Sequence, residues 1–228
     1  RAVAVFRAGA GLEAGRVVTG SDDATLREWD LETGTSTTTW AGHSSTVHSV
    51  ATAGPRLFSA SHDGTIREWD PSHPSATRTL RGHADRVTAL CVGGGSLYSG
   101  GHDKVVLEWS LQTGQVRRTF RGHRSVVTSL VLWAGKLYSG SADKTIKVWR
   151  LTADACLQLT ATGMGRAAPA CLRTLALHTH MVQALAASPA GVFSGAADRT
   201  VGVWDSRTGD CVEVLRGHGG GVMALAAT

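Results

Sequence analysis

Three glutamates stand at a fixed interval in this chain. Glu28, Glu68 and Glu108 each precede a tryptophan, in REWD (27–30), REWD (67–70) and LEWS (107–110), forty residues apart each time. A carboxylate is a residue type of general acid–base catalysis, and three of them in β-rich runs raise the question of a site. Other chemistry-bearing residues offer less. His178 and His180 lie in an HTH triplet. Cys91, Cys156, Cys171 and Cys211 contain no CxxC pair and no zinc-like spacing. The chain shows no glycine-rich phosphate cradle and no metal-ligand spacing, so no cofactor and no metal are expected.

The elements that carry the glutamates decide what their interval means. Among 228 residues, 42% are hydrophobic and 18% charged, which is ordinary globular usage. Thr, Val, Ser and the 28 glycines are plentiful, and strong helix formers are sparse. That mixture predicts many short strands joined by tight turns. No apolar run is long enough for a transmembrane segment. The formal charge of +5 permits an acidic partner, but no Lys/Arg block demands nucleic acid. The cysteines lie in apolar strand-like runs and are expected as reduced core thiols. With no signal-peptide pattern at Arg1, the expectation is a cytoplasmic or nuclear protein, seen as a segment of a longer polypeptide.

The interval belongs to an internal repeat. Aligned on tryptophan, five lines appear: GSDDATLREWD (20–30), ASHDGTIREWD (60–70), GGHDKVVLEWS (100–110), GSADKTIKVWR (140–150) and GAADRTVGVWD (195–205). A second anchor recurs in WAGHSSTV (40–47), LRGHADRV (80–87), FRGHRSVV (120–127), LALHTHMV (175–182) and LRGHGGGV (215–222). One interval is 55 residues long, so one repeat carries an insertion of 15.

Two anchors in matched register over nearly the whole chain resemble the WD-repeat β-propeller family. The resemblance implies an all-β fold of four-stranded antiparallel blades packed radially around a channel. Blades are expected at about 1–41, 42–81, 82–121, 122–176 and 177–216, with a partial blade at 217–228. In the first, the strands are expected at 2–6, 16–20, 24–29 and 36–41. Residues 219–228 read as the innermost strand of a further blade, so the visible five imply part of a seven-bladed ring. The 15 extra residues fall within 151–169, between the third and outer strands of the fourth blade. There ACLRTL (170–175) is the better outer strand, and ACLQLT (155–160) begins a looped excursion.

The resemblance also implies a buried hydrogen-bond set in each blade. Position by position it selects His43, Ser59, Asp63 and Trp69; His83, Ser99, Asp103 and Trp109; then His123, Ser139, Asp143 and Trp149. In the fifth blade it selects His178, Ser194, Asp198 and Trp204, with Leu177 in place of the usual glycine. The first blade keeps Thr19, Asp23 and Trp29 but has Val3 where histidine is expected. Indole N–H can donate to the hydroxyl, the hydroxyl to one imidazole nitrogen, and the other nitrogen to the carboxylate. These sets mimic catalytic triads, but a set repeated in four blades serves a repeated structural need. No catalytic residue is expected.

Function then falls to the loops. The face carrying the aspartate turn and the loop after the GH anchor should hold Asp22, His62, His102, Lys104, Lys144, Arg199, Asp85, Arg86, Arg124, His180 and Met181. An arc of Arg86, Lys104, Arg124, Lys144, His180 and Arg199 suits an acidic or phosphorylated peptide. On the opposite face, Trp133 stands where the other repeats have Ala53, Gly93 and Ser188, and it is either a partner anchor or packed under the insertion. Trp40, in the slot of Leu80, Phe120, Leu175 and Leu215, reads as core.

The leading expectation is a non-catalytic protein-interaction scaffold or adaptor. The alternative is a phosphopeptide or degron receptor resembling ubiquitin-ligase substrate adaptors and kinase-associated propellers. A nucleic-acid scaffold comes third, because exposed aromatics and a basic run are missing. The glutamates themselves face the outer strand: Glu28 opposite Thr38, Glu68 opposite Arg78 and Glu108 opposite Arg118. Cross-strand ion pairs decorating the outer rim are expected, each worth roughly 0.2–1 kcal/mol. Val203 opposite Glu213 swaps the pattern.

Overall fold

Runs of Val, Leu, Thr and Ser broken by Gly- and Asp-bearing turns give short antiparallel strands throughout the computed structural model. Residues 2–6, 16–71, 73, 75–151, 157–160, 163–166 and 171–227 are described. The first sheet orders β1 (Ala2–Phe6), β2 (Arg16–Gly20), β3 (Leu26–Trp29) and β4 (Ser36–Trp40). The second is β5 (Val47–Ala53), β6 (Arg56–Ser61), β7 (Ile66–Trp69) and β8 (Ala76–Leu80). The third is β9 (Val87–Gly93), β10 (Ser96–Gly101), β11 (Val106–Ser110) and β12 (Val116–Phe120). In the fourth, β13 (Val127–Trp133), β14 (Lys136–Ser141) and β15 (Thr145–Arg150) are completed only after an excursion. That excursion contains a separate hairpin of β16 (Leu157–Thr160) and β17 (Gly163–Arg166), and β18 (Cys171–Ala176) then pairs with β15. The last sheet is β19 (Val182–Ser188), β20 (Gly191–Ala196), β21 (Val201–Trp204) and β22 (Cys211–Leu215). The described residues form no helix, and none is therefore long and apolar enough to cross a membrane.

The chain divides into two compact units. One comprises residues 1–103 and 109–116, the other 104–108 and 117–228. In the first unit, Val18, Leu26 and Trp40 of the first sheet form one buried cluster with Val47, Val50, Leu57 and Trp69 of the second. In the other unit, Tyr138, Ile146, Val148 and Leu175 cluster with Val182, Val192 and Trp204. Each fully buried side chain of this kind contributes roughly 1.5–3 kcal/mol. The packing is this close because the second strand of a sheet offers a small residue to a valine of the segment that follows the next histidine anchor. A Cβ at Gly20 would stand 2.6 Å from Val47 Cγ1, and one at Gly195 would stand 2.6 Å from Val222 Cγ1.

Three expectations need correction. Residues 221–227 form no strand. Val222 docks its N–H on Ala196 O (2.9 Å), as Val47 does on Ser21 O (2.9 Å), but the segment shows no ladder with a second strand, and a strand is defined by that ladder. Cys171 and Cys211 are exposed and not core, because each opens an outer strand. Their Sγ atoms turn back on the chain, to Arg173 O (3.1 Å) and Glu213 O (3.4 Å). Cys91 is half-buried, and Cys156 lies outside the described residues.

The glutamates are the third correction. They are buried, with Glu28 1%, Glu68 8% and Glu108 3% exposed, so they do not decorate an edge. Glu68 lies opposite Arg78, and Glu28 opposite Thr38, with Thr37 Oγ1 donating to Glu28 (3.2 Å). Arg78 Nε donates to Glu68 Oε2 (2.8 Å), Arg56 Nε donates to Oε1 (2.5 Å), and Arg118 pairs with Glu108. Arg56 and Arg78 also reach forward to Leu111 O in the third sheet, at 2.6 Å and 2.9 Å. Arg118 repeats the reach to Leu151 O (3.1 Å), and Lys136 and Tyr138 reach Ser206 O (2.7 and 3.3 Å). In the second and third sheets the carboxylate thus holds arginines that reach the turn between the third and outer strands of the following sheet, and in the fourth Lys136 and Tyr138 make the same reach with Val148 in the glutamate position.

Candidate functional site

The four histidine-bearing sets are brought together as closed chains. Trp69 Nε1 donates to Ser59 Oγ (2.7 Å), Ser59 Oγ meets His43 Nε2 (2.7 Å), and His43 Nδ1 meets Asp63 Oδ2 (2.7 Å). The third sheet repeats this with Trp109, Ser99, His83 and Asp103 at 2.7, 2.6 and 2.8 Å. Trp149, Ser139, His123 and Asp143 give 2.8, 2.7 and 2.8 Å, and Trp204, Ser194, His178 and Asp198 give 2.8, 2.7 and 3.0 Å. In the first sheet only the indole link forms, Trp29 Nε1 to Thr19 Oγ1 (2.8 Å), and Val3 opposes Thr19. There Asp23 keeps the contacts to the Thr25 hydroxyl (2.7 Å) and N–H (2.9 Å) that Asp63, Asp143 and Asp198 also make to their threonines.

Charge follows from these contacts. Burial pushes His43 and His123 below the ordinary imidazole value, more than their aspartates raise them. Each is neutral, so Nδ1–H donates to the aspartate and Nε2 accepts the serine proton. Burial alone would raise Asp63, but the Thr65 hydroxyl, His43 and the Thr65 N–H outweigh it and hold the carboxyl at about 2. Asp143 is held at about 2 against burial by the Thr145 hydroxyl, the Arg124 N–H and His123. Asp198 is held there by the Thr200 hydroxyl, the Thr179 N–H and His178. A serine that already accepts an indole N–H and faces a buried imidazole has no exposed oxygen to attack a substrate. The arrangement ties a turn to a strand.

What the sets leave outside is the turn itself. The residue after each turn aspartate has left-handed backbone: Ala24 (φ 68°), Gly64 (81°), Lys104 (67°), Lys144 (73°) and Arg199 (72°). Holding a branched-at-Cα residue there costs about 1–2 kcal/mol relative to the right-handed region. Lys104, Lys144 and Arg199 are exposed at that position, as are Arg86, Arg124 and His180. Arg124 also presents its N–H to Asp143 (2.9 Å). On the other edge, Trp133 is half-buried against the cluster of Tyr138, Val148 and Trp204. The insertion residues 152–156, 161–162 and 167–170 lie outside the described residues.

Two features escape sequence reasoning. His62 stacks on His48 (centroids 4.9 Å, planes 20° apart) and meets the edge of His102 at 6.0 Å. A cleft of about 300 Å³ opens beside it, lined by His62, Gly64, Arg81, Asp85 and Arg86 among others. The departures of Gly64 and Arg86 from the repeat were its available signal. Among the described residues no group of three His, Cys, Asp or Glu side chains could hold a metal. Stacked imidazoles fail for a geometric reason, since their lone pairs lie in parallel planes and do not converge.

A model of the family described as WD domain, G-beta repeat matches residues 34–70, 74–110, 114–150 and 169–205, more than half of the chain. The first match runs from β4 of one sheet through β5, β6 and β7 of the next, so the sequence unit is offset from the sheet by one strand. No curated protein matches the chain.

Proposed function

Because the chain belongs to the WD-repeat family, a kind of domain that serves as a protein-interaction scaffold, we propose that it is a non-catalytic adaptor that binds acidic or phosphorylated segments of other proteins. The observation that carries this reading is the display of Lys104, Lys144 and Arg199, each exposed on left-handed backbone directly after a turn aspartate. Asp143 and Asp198 are locked by histidine, threonine and backbone donors, and Asp103 by His83 and the Ala84 N–H, so the next side chain is presented from a fixed point. A guanidinium or ammonium held in this way loses less freedom on pairing with a carboxylate or phosphate. The histidine, serine and aspartate sets are spent on folding, which supports a role without catalysis.

Charge reversal tests the proposal. Replacing Arg86, Lys104, Lys144 and Arg199 with glutamate should lower binding to arrayed acidic and phosphorylated peptides by at least about tenfold, the effect of roughly 1.4 kcal/mol. Unchanged binding by a folded variant would exclude these cations as the contacts.

A further inference from the structure

Within the first unit, the internal repeat breaks where the cleft of about 300 Å³ opens. Three of its walls depart from their counterparts. Gly64 stands where the other repeats carry Ala24, Lys104, Lys144 and Arg199. Arg86 stands where they carry Thr46, Val126, Met181 and Gly221, and Asp85 where they carry Ser45, Ser125, His180 and Gly220. A Cβ at Gly64 would meet Asp85 O at 3.5 Å, so any longer side chain at this position would extend into the cleft. Breaks in a local rule gather at functional sites.

The chemistry of the walls points to an oxyanion. Arg81 and Arg86 are exposed, and neither forms an ion pair among the described residues. Asp63, at the back of the cleft, is already saturated by His43 (2.7 Å), the Ser44 N–H (3.1 Å), and the Thr65 N–H (2.9 Å) and hydroxyl (2.6 Å). Asp85 accepts the Arg86 N–H (2.7 Å), and its carboxylate is the remaining negative charge at the mouth. His62 is fixed by its stack on His48 and supplies an imidazole wall. Two planar forks beside a polar wall match the three oxygens of a phosphate monoester better than the two of a carboxylate.

We propose that this cleft receives a phosphorylated side chain of a bound peptide, with Arg81 and Arg86 pairing its oxygens and Gly64 leaving it room. The inference rests on the reading of the turn face as a peptide-binding surface, and it places the phosphate in one cleft. The probe is a degenerate phosphoserine peptide library, with matched serine and aspartate libraries, applied to the intact chain and to variants whose melting confirms folding. The unsubstituted chain should capture the phosphoserine library at least about tenfold better than the other two. Arg81→Gln, Arg86→Gln and Gly64→Gln should each lose that preference. Asp85→Asn should strengthen it, Arg207→Gln, an exposed arginine outside both sets, should leave capture unchanged, and the pair Lys144→Gln and Arg199→Gln should weaken capture of the phosphoserine and aspartate libraries alike. If the Lys144 and Arg199 variants lose binding while the Arg81, Arg86 and Gly64 variants keep the phosphoserine preference, the cleft assignment is overturned and the reading from the turn cations stands. If no variant differs from the parent, both fall. Equal capture of the aspartate library would overturn the assignment to phosphate.

Discussion

At the scale of the residue, the serine of each closed set is the most exacting position. Ser99 accepts from Trp109 and faces His83, so Ser99→Ala strands an indole N–H and an imidazole nitrogen in a buried place. A loss of roughly 1–3 kcal/mol is expected by urea denaturation. Thr19→Val should cost less, because only the Trp29 indole depends on Thr19 in a sheet where Val3 takes the histidine position. Lys144 makes the opposite case. Its φ of 73° suits glycine, so Lys144→Gly should stabilise the fold by ~0.5–1 kcal/mol while removing a proposed ligand contact. A variant that melts lower than the parent would show that the lysine side chain stabilises the turn by more than its backbone strain.

At the scale of the element, the outer part of the second and third sheets depends on a carboxylate that collects cations. Burial alone would raise Glu68, but Arg56 and Arg78 outweigh it and hold the carboxyl below its ordinary value. Glu68→Ala leaves both guanidinium groups beside an apolar hole, and a loss of about 2–4 kcal/mol is expected. A double-mutant cycle with Arg78→Ala should recover part of it, and strict additivity would remove the pair from the account. The strands and their order were legible in the sequence, because the forty-residue period fixes where each tryptophan and turn aspartate must fall. The opposition of Glu68 and Arg78 was legible too. Their burial was not, because Arg56 arrives from another strand and Leu111 contributes a carbonyl, which carries no side-chain signature. The exposure of Cys171 and Cys211 was hidden for a similar reason: apolar runs on an outer strand look like core until the neighbouring sheet is placed.

At the scale of the whole molecule, the repeated sets make stability a function of pH with a definite sign. His43 and His123 titrate below their ordinary value when folded, so the unfolded chain takes up their protons first as pH falls through about 6.5. Their contribution is complete above that pH and declines below it. Asp63, Asp143 and Asp198, held at about 2 when folded, add a second loss as pH falls from about 4 towards 2. Urea midpoints measured from pH 8 to pH 3 should therefore fall in two steps, each setting in where the unfolded groups begin to protonate. A midpoint that rises on acidification would contradict the neutral state of the buried histidines. The one-strand offset between sequence unit and sheet has a consequence for inheritance. Residues 34–70 carry the last strand of one sheet and the first three of the next, so a tandem duplication of such a unit donates its leading strand backwards and takes its closing strand from the copy behind. A gene could lengthen or shorten by whole units in this way while every sheet kept four strands, and the recombination joint would fall in an exposed turn, where the chain tolerates change.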